Sequence, residues 1–242
     1  SIPYSYAAPL SYLRTNVEGT HNILQAARSH DVGSVVVTST SEVYGTAQYV
    51  PIDEKHPLNA QSPYAASKTG ADQLALSYHL SFGMPVHIAR PFNVYGPRQS
   101  SRAIIPTVIT QILAGNRELR LGNLTPTRDL TFVSDTVAGF IAVSESKDLV
   151  GQVTQIGSNA EISVGDLVAL IADIMGVEVE VSLDEARERP AGSEVERLMC
   201  DNAKLIGATS WRPQYSLRTG LAATIEWLSA NRQVYKSTIY NL

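Results

Sequence analysis

Tyr64 and Lys68, in the stretch "SPYAASK" (62–68), stand four residues apart. That interval sets two side chains on one face of a helix, one turn apart. A phenol ordinarily titrates near pH ~10 and is a poor base at neutral pH. A lysine cation beside it, with any positively charged cofactor ring, favours the phenolate and moves it toward working pH. Such a pair suits taking a proton from a sugar hydroxyl while hydride leaves the same carbon. Tyrosine and lysine also share this interval on many helices without chemistry, so the pair needs companions. Upstream, "VTSTSEVYG" (37–45) ends a β-branched run in Thr38, Ser39, Thr40, Ser41 and Glu42. Its carboxylate is either a solvated loop group or a base.

The elements around these residues alternate. Residues 9–30 carry Leu10, Leu13, Val17, Ile23 and Leu24 at roughly helical spacing. "SVVVTS" (34–39) is a short apolar run, as in a strand covered on both faces. Ser62 and Pro63 form an N-cap followed by proline at the first helical position, opening a helix over 63–82. Strands are expected at 85–90, 129–133 and 152–157. Helices are expected at 104–114, 135–145, 163–176 and 217–231, the third opening on the capping-box-like Ser163 and Asp166 and closing at Gly176. Strand and helix in turn imply βαβ units, a mostly parallel sheet and helices on both faces. Ligands bind such sheets beyond the carboxyl ends of the strands, where "VTSTSEVYG" falls.

Composition narrows the function classes. The chain has 242 residues, 44% hydrophobic and 17% charged, with a net charge of −4. That describes a soluble globular protein with a sizeable core. Without a basic run, no nucleic-acid partner is expected. No stretch approaches the ~18 apolar residues of a membrane helix, and no signal pattern is evident, so no membrane partner is expected and the cytoplasm is the default. Cys200 alone excludes an intramolecular disulfide and fits a reducing compartment. The histidines (21, 30, 56, 79 and 87) lack metal-ligand spacing and read as structural or surface residues. Asn123-Leu-Thr125 matches a glycosylation sequon and, without a secretory signal, is read as a chance match.

Taken together, "TSTSEVYG", "SPYAASK", "RPFNVYGPRQ" (90–99) and "TRDLTFVSD" (127–135) resemble the extended short-chain dehydrogenase/reductase family of nucleotide-sugar enzymes, in order and spacing over nearly the whole chain. The pattern looks most like the NAD-dependent nucleotide-sugar 4,6-dehydratases, particularly those acting on UDP-N-acetylglucosamine or a GDP-linked relative. The resemblance implies a Rossmann-type doubly wound parallel sheet with a smaller α/β C-terminal domain. Residues 1–97 and 128–157 would belong to the NAD-binding part, and 98–127 and 158–242 to the nucleotide-sugar-binding part. By the same resemblance Thr40 would bond the sugar O4 beside Tyr64. Glu42 would remove the C5 proton, which becomes acidic once C4 is a ketone. Water would then leave across C5 and C6, and hydride would return to C6. Ser41 stands where many dehydratases carry an aspartate that protonates the leaving hydroxyl. Thr-Ser-Glu occurs in GDP-mannose dehydratases and in UDP-glucuronate decarboxylases, so the decarboxylase remains an alternative. A 4-epimerase ranks lower because epimerases tend to lack an acid at position 42, and a non-catalytic nucleotide-binding module ranks last. Tyr64, Lys68, Pro91 and Asn93 would border NAD. Asn93, with Arg128 and Arg197, would hold the substrate diphosphate, for which an arginine fork offers paired donors. Arg128 could instead pair locally with Asp129. Residues 1–6 align with a loop that touches the sugar, and helices near 9–30 and 63–83 would form a homodimer.

One family feature has no counterpart here. The family's strand, Gly-x-x-Gly-x-x-Gly turn and helix bind the cofactor pyrophosphate through backbone N–H groups. Glycines 19, 33, 45, 70 and 83 are isolated, and none follows a strand and opens a helix. The resemblance therefore places the adenine-ribose half of the NAD site outside this sequence. The expectation is that this chain alone binds NAD poorly and turns over little substrate.

Overall fold

The computed structural model describes residues 2–184, 187 and 190–235. The chain opens with α1 (Ile2–Ala7) and α2 (Pro9–Leu13), which runs through a π-helical segment, Arg14–Glu18, into α3 (Gly19–Ser29). The helix expected over 9–30 is therefore wound wide in its middle, where the Gly19 N–H reaches back to the Arg14 carbonyl. That segment lies against the helix carrying Tyr64. Asn16 donates to Ser67 at 2.9 Å, and a Cβ on Gly70 would sit 3.2 Å from Val17.

Next come β1 (Val35–Thr38), a one-turn 3₁₀ helix (Ser41–Tyr44) and α4 (Pro63–Phe82). Ser62 caps α4 by accepting the Ala65 N–H at 3.1 Å, and Gly83, at φ 66°, supplies the left-handed residue that ends it. Then follow β2 (Val86–Pro91), β3 (Asn93–Tyr95), α5 (Ile104–Leu113), β4 (Glu118–Leu121) and β5 (Thr127–Phe132). Beyond them are α6 (Val133–Glu145), β6 (Val153–Ile156), β7 (Glu161–Ser163), α7 (Val164–Met175) and β8 (Glu180–Leu183). The described chain closes with β9 (Arg197–Leu198), α8 (Ala203–Ala208) and α9 (Leu217–Ala230).

The main sheet is parallel in the order β1-β2-β6, with Val37 opposite Ile88 and Ala89 opposite Thr154. One face packs Leu24, Ala75 and Tyr78 of α3 and α4 onto Val86 and Ile88. The other packs Val143, Leu205 and Trp211 onto Ala89 and Ile156. Covering on both faces explains why β1 reads as a continuous apolar run. A second sheet joins β3, β5 and β7, with β9 pairing Thr127 and Arg128 of β5 on the side opposite β7, and β4 pairs with β8. Ile105, Ile109, Leu119, Leu167, Ile171 and Leu221 build a separate core for α5, α7 and α9.

The expected α/β architecture is the observed one. Its long elements fall within a few residues of the sequence reading, but β5 begins at Thr127, so Arg128 is strand rather than loop. The unexpected elements β3, β7, β8, β9 and α8 are short. Two or three residues of a strand carry no measurable period.

Candidate active site

Thr40 sits where β1 has ended and the 3₁₀ turn begins. Its extended backbone (φ −158°, ψ 148°) makes it the N-cap, and its Oγ1 accepts the Glu42 N–H at 3.3 Å. The same hydroxyl is hydrogen-bonded to the Tyr64 phenol. Two segments remote in sequence thus meet at one pair of oxygens. Ser41 and Glu42 are both buried, but successive side chains on a 3₁₀ turn point about 120° apart. Glu42 lines the adjoining cavity and Ser41 does not.

That cavity, of about 970 Å³, opens beyond the carboxyl ends of β1 and β2, within the range of a small-molecule site. Thr40, Glu42, Tyr64, Pro91, Asn93 and Arg128 all line it. The Asn93 amide oxygen is buried with no hydrogen-bond partner among the described residues, an acceptor suited to a ligand hydroxyl or amide. From α1, Ile2, Pro3 and Tyr6 reach the same wall. The segment aligned with a sugar-touching loop is thus helical, and its first residue, Ser1, lies outside the described residues.

Lys68 does not line the cavity. Its ammonium donates to the Thr38 carbonyl, which holds α4 against the end of β1. An ammonium has three donors, and the Thr38 carbonyl takes one of them. Burial pulls Lys68 below its ordinary value, and the Asp72 carboxylate pushes it back up. Tyr64 departs from the sequence expectation. Burial raises its pKa above 10.0, the Thr40 hydrogen bond lowers it, and Glu42 raises it again, with Lys68 not among the causes. The phenol is therefore protonated at neutral pH in the chain by itself.

The two arginines part company. The Arg128 guanidinium, on the cavity wall, donates to the Thr127 carbonyl at 2.9 Å and to Glu194 at 3.3 Å. Its neighbour Asp129 is no local partner. That carboxylate is buried and accepts from Ser158 (2.8 Å), Asn159 (2.9 Å) and Cys200 (3.1 Å) backbone N–H groups. Arg197, on β9, is half exposed and forks onto Glu161, with Nε 3.0 Å from both carboxylate oxygens. It is not part of the cavity lining.

Some site residues escaped the sequence reading. Arg102 and Arg187 add cationic lining. Behind the site Arg90 and Asp72 are 2.7 Å apart and almost wholly buried. A signal for both existed: Asp72 extends the 64/68 series by one more turn, and Arg90 interrupts the apolar run of β2.

Comparison with known proteins agrees with this arrangement. Residues 1–224 match the profile of the family described as GDP-mannose 4,6 dehydratase. A dTDP-glucose 4,6-dehydratase of Streptomyces antibioticus is 36% identical over 94% of this chain and 67% of its own. A putative UDP-glucose 4-epimerase of Methanocaldococcus jannaschii is 32% identical over 90% of this chain and 70% of its own. The crystal structure of DesIV, a dTDP-glucose 4,6-dehydratase from Streptomyces venezuelae with NAD and TYD bound, superposes with a TM-score of 0.87 at 33% identity. That match covers 98% of this chain and 72% of DesIV. Motifs, fold and the Thr40–Tyr64 pairing converge, and the chain belongs to the GDP-mannose 4,6 dehydratase family.

Proposed function

We propose that this protein acts as an NAD-dependent nucleotide-sugar 4,6-dehydratase. The observation that carries the reading is the convergence of Thr40, Glu42 and Tyr64 on one cavity. NAD, where bound beside Tyr64 and Lys68, supplies a hydride acceptor and donor. The residues of the chain do the rest. Thr40 accepts or donates at the sugar O4 and holds the Tyr64 phenol in line. Tyr64, once ionised, takes the O4 proton, and the spare N–H groups of Lys68 hold ribose hydroxyls. With C4 a ketone, the C5 proton becomes acidic, and Glu42 is the cavity carboxylate available to remove it. Ser41, which stands where many dehydratases carry the aspartate that protonates the leaving hydroxyl, lies off the cavity lining, so Glu42 is the better candidate for both proton transfers. Arg128 and Asn93 face the same space and suit the substrate diphosphate, whereas Arg197 would have to leave Glu161 to join them.

Two sugars merit assay. UDP-N-acetylglucosamine follows from the motif resemblance, and dTDP-glucose is the substrate in the relatives' names. The two-part division at 98–127 and 158–242, a homodimer through the 9–30 and 63–83 helices and a cytoplasmic location complete the proposal. Exposed Leu10, Leu13, Ile23 and Leu80 support the dimer. No helix among the described residues is long and apolar enough to cross a membrane. Mass spectrometry after incubation with NAD and each sugar tests the reaction: loss of water supports dehydration. Carbon dioxide loss from UDP-glucuronate would point to a decarboxylase, and unchanged mass to an epimerase. Glu42→Gln should stop the reaction at the C4 oxidation stage, with no water lost.

A further inference from the structure

The Arg90 guanidinium ties β2 to two segments remote from it in sequence, 39–44 and α4. Its Nη2 donates to Asp72 of α4 at 2.7 Å, its Nη1 to the Tyr44 hydroxyl at 2.7 Å, and its Nε to Ser39 Oγ at 3.2 Å. Ser39 in turn donates to the same Asp72 oxygen at 2.5 Å. Tyr44 is held from its other side by Gln155 Nε2 at 2.6 Å, and the guanidinium lies 4.7 Å from its ring centre. Arg90, Asp72, Ser39 and Tyr44 are each at most 2% exposed.

Each partner stands one step from a residue of the site. Ser39 precedes Thr40. Tyr44 ends the 3₁₀ turn that begins beside Glu42. Asp72 lies one turn beyond Lys68 and two beyond Tyr64 on one face of α4. Arg90 itself leads through Pro91 to Asn93. Buried ion pairs contribute little net stability and are retained where they fix one arrangement among several. A planar fork with donors in fixed directions is the side chain that can register three segments at once.

We propose that the buried Arg90–Asp72 pair is the positioning device of this active site, with Arg90 setting the Thr40–Glu42 turn against the Tyr64–Lys68 helix. The proposal rests on the dehydratase reading for its kinetic test but not for its structural one. Asp72 also acts on the reacting groups at a distance, since its carboxylate raises both Lys68 and Tyr64.

The test replaces both charges together, Arg90→Met with Asp72→Leu, because removing one alone strands a buried ion. The double variant is expected to fold, with kcat reduced on the order of 10²-fold and KM little changed, as a misplacement of about 1 Å produces. Its kcat–pH profile should shift to lower pH on the Tyr64 limb, which a mere loss of folded enzyme does not cause. Arg90→Lys keeps the charge and loses the fork, so it is expected not to restore kcat; it also decides the matter should the double variant fail to fold. Amide hydrogen exchange gives a readout free of turnover: peptides 37–45 and 62–72 should exchange faster in either variant, with those over α7 unchanged. Wild-type kcat in either variant, or unaltered exchange in those peptides, overturns the proposal. Wild-type protein that, with the glycine-rich cofactor-binding segment supplied, removes no water from either sugar overturns the dehydratase reading instead, leaving the exchange result to decide the role of Arg90.

Discussion

A buried phenol bonded to a threonine hydroxyl is the centre of this site, and its chemistry is set by what surrounds it. Tyr64 is held above 10.0 by burial, so in the chain by itself it keeps its proton at neutral pH, and the base role proposed for it requires a cation beside it. Tyr64→Phe keeps the ring and removes the proton acceptor. The expected loss in kcat is ~10²–10⁴-fold, read from the appearance of product in mass spectra. Tyr44, pushed up to about 12 by burial, gives a stability prediction. Both phenols have folded-state pKa values above their unfolded value of 10.0, so the folded state holds these protons more tightly. The stabilisation is fully present below pH 10.0 and is lost as pH rises toward about 12. Denaturant melts across that window should show falling stability, and Tyr44→Phe should flatten the fall. On the acid side the sign reverses. Glu161, held below 4.5 chiefly by the Arg197 hydrogen bond, contributes stability above pH 4.5 that is lost as pH drops through its folded value.

The helix α4 is the element on which the site depends, because Tyr64, Lys68 and Asp72 occupy successive turns of it. Its start is fixed by Ser62, whose cap bond lies one residue from the catalytic tyrosine's turn. Ser62→Ala should cost about 1 kcal/mol in chemical denaturation. It should also lower kcat more than it raises KM, since the first turn frays where Tyr64 must be held. Just beyond β6 the fit between elements is set by a small residue. A Cβ at Gly157 would collide with Cys200, behind the Asp129 carboxylate that ties β5 to the 158–159 turn. Gly157→Ala should therefore destabilise by about 1–3 kcal/mol, measured by thermal melting. The boundaries of α4 could be read to the residue because cap, proline and glycine are all local signals. The π-helical turn at 14–18 could not, because its cause is the close passage of Val17 and Asn16 over Gly70 and Ser67, contacts between residues far apart in the chain.

Across the molecule, a three-stranded parallel sheet ends in a cavity closed on its far side by the α5, α7 and α9 core. Helices on both faces cover that sheet, yet the 9–29 and 63–82 helices keep Leu13, Ile23 and Leu80 about half or more exposed. If these faces meet their copies, Leu13→Glu combined with Ile23→Glu should lower the particle mass in light scattering to that of one chain, with far-ultraviolet dichroism unchanged. Periodicity and end signals, both properties of neighbouring residues, were enough to establish from the chain alone an α/β fold and the helix carrying Tyr64 and Lys68, while the family was legible only through the resemblance of four motifs. Three-dimensional packing settled what depends on distant partners. Arg128 faces the cavity because Asp129 is drawn inward by backbone N–H groups, and Arg197 turns aside because Glu161, on the other strand that flanks β5, accepts its guanidinium. Arg90 is buried because two segments remote in sequence, 39–44 and the helix carrying Asp72, supply its acceptors together.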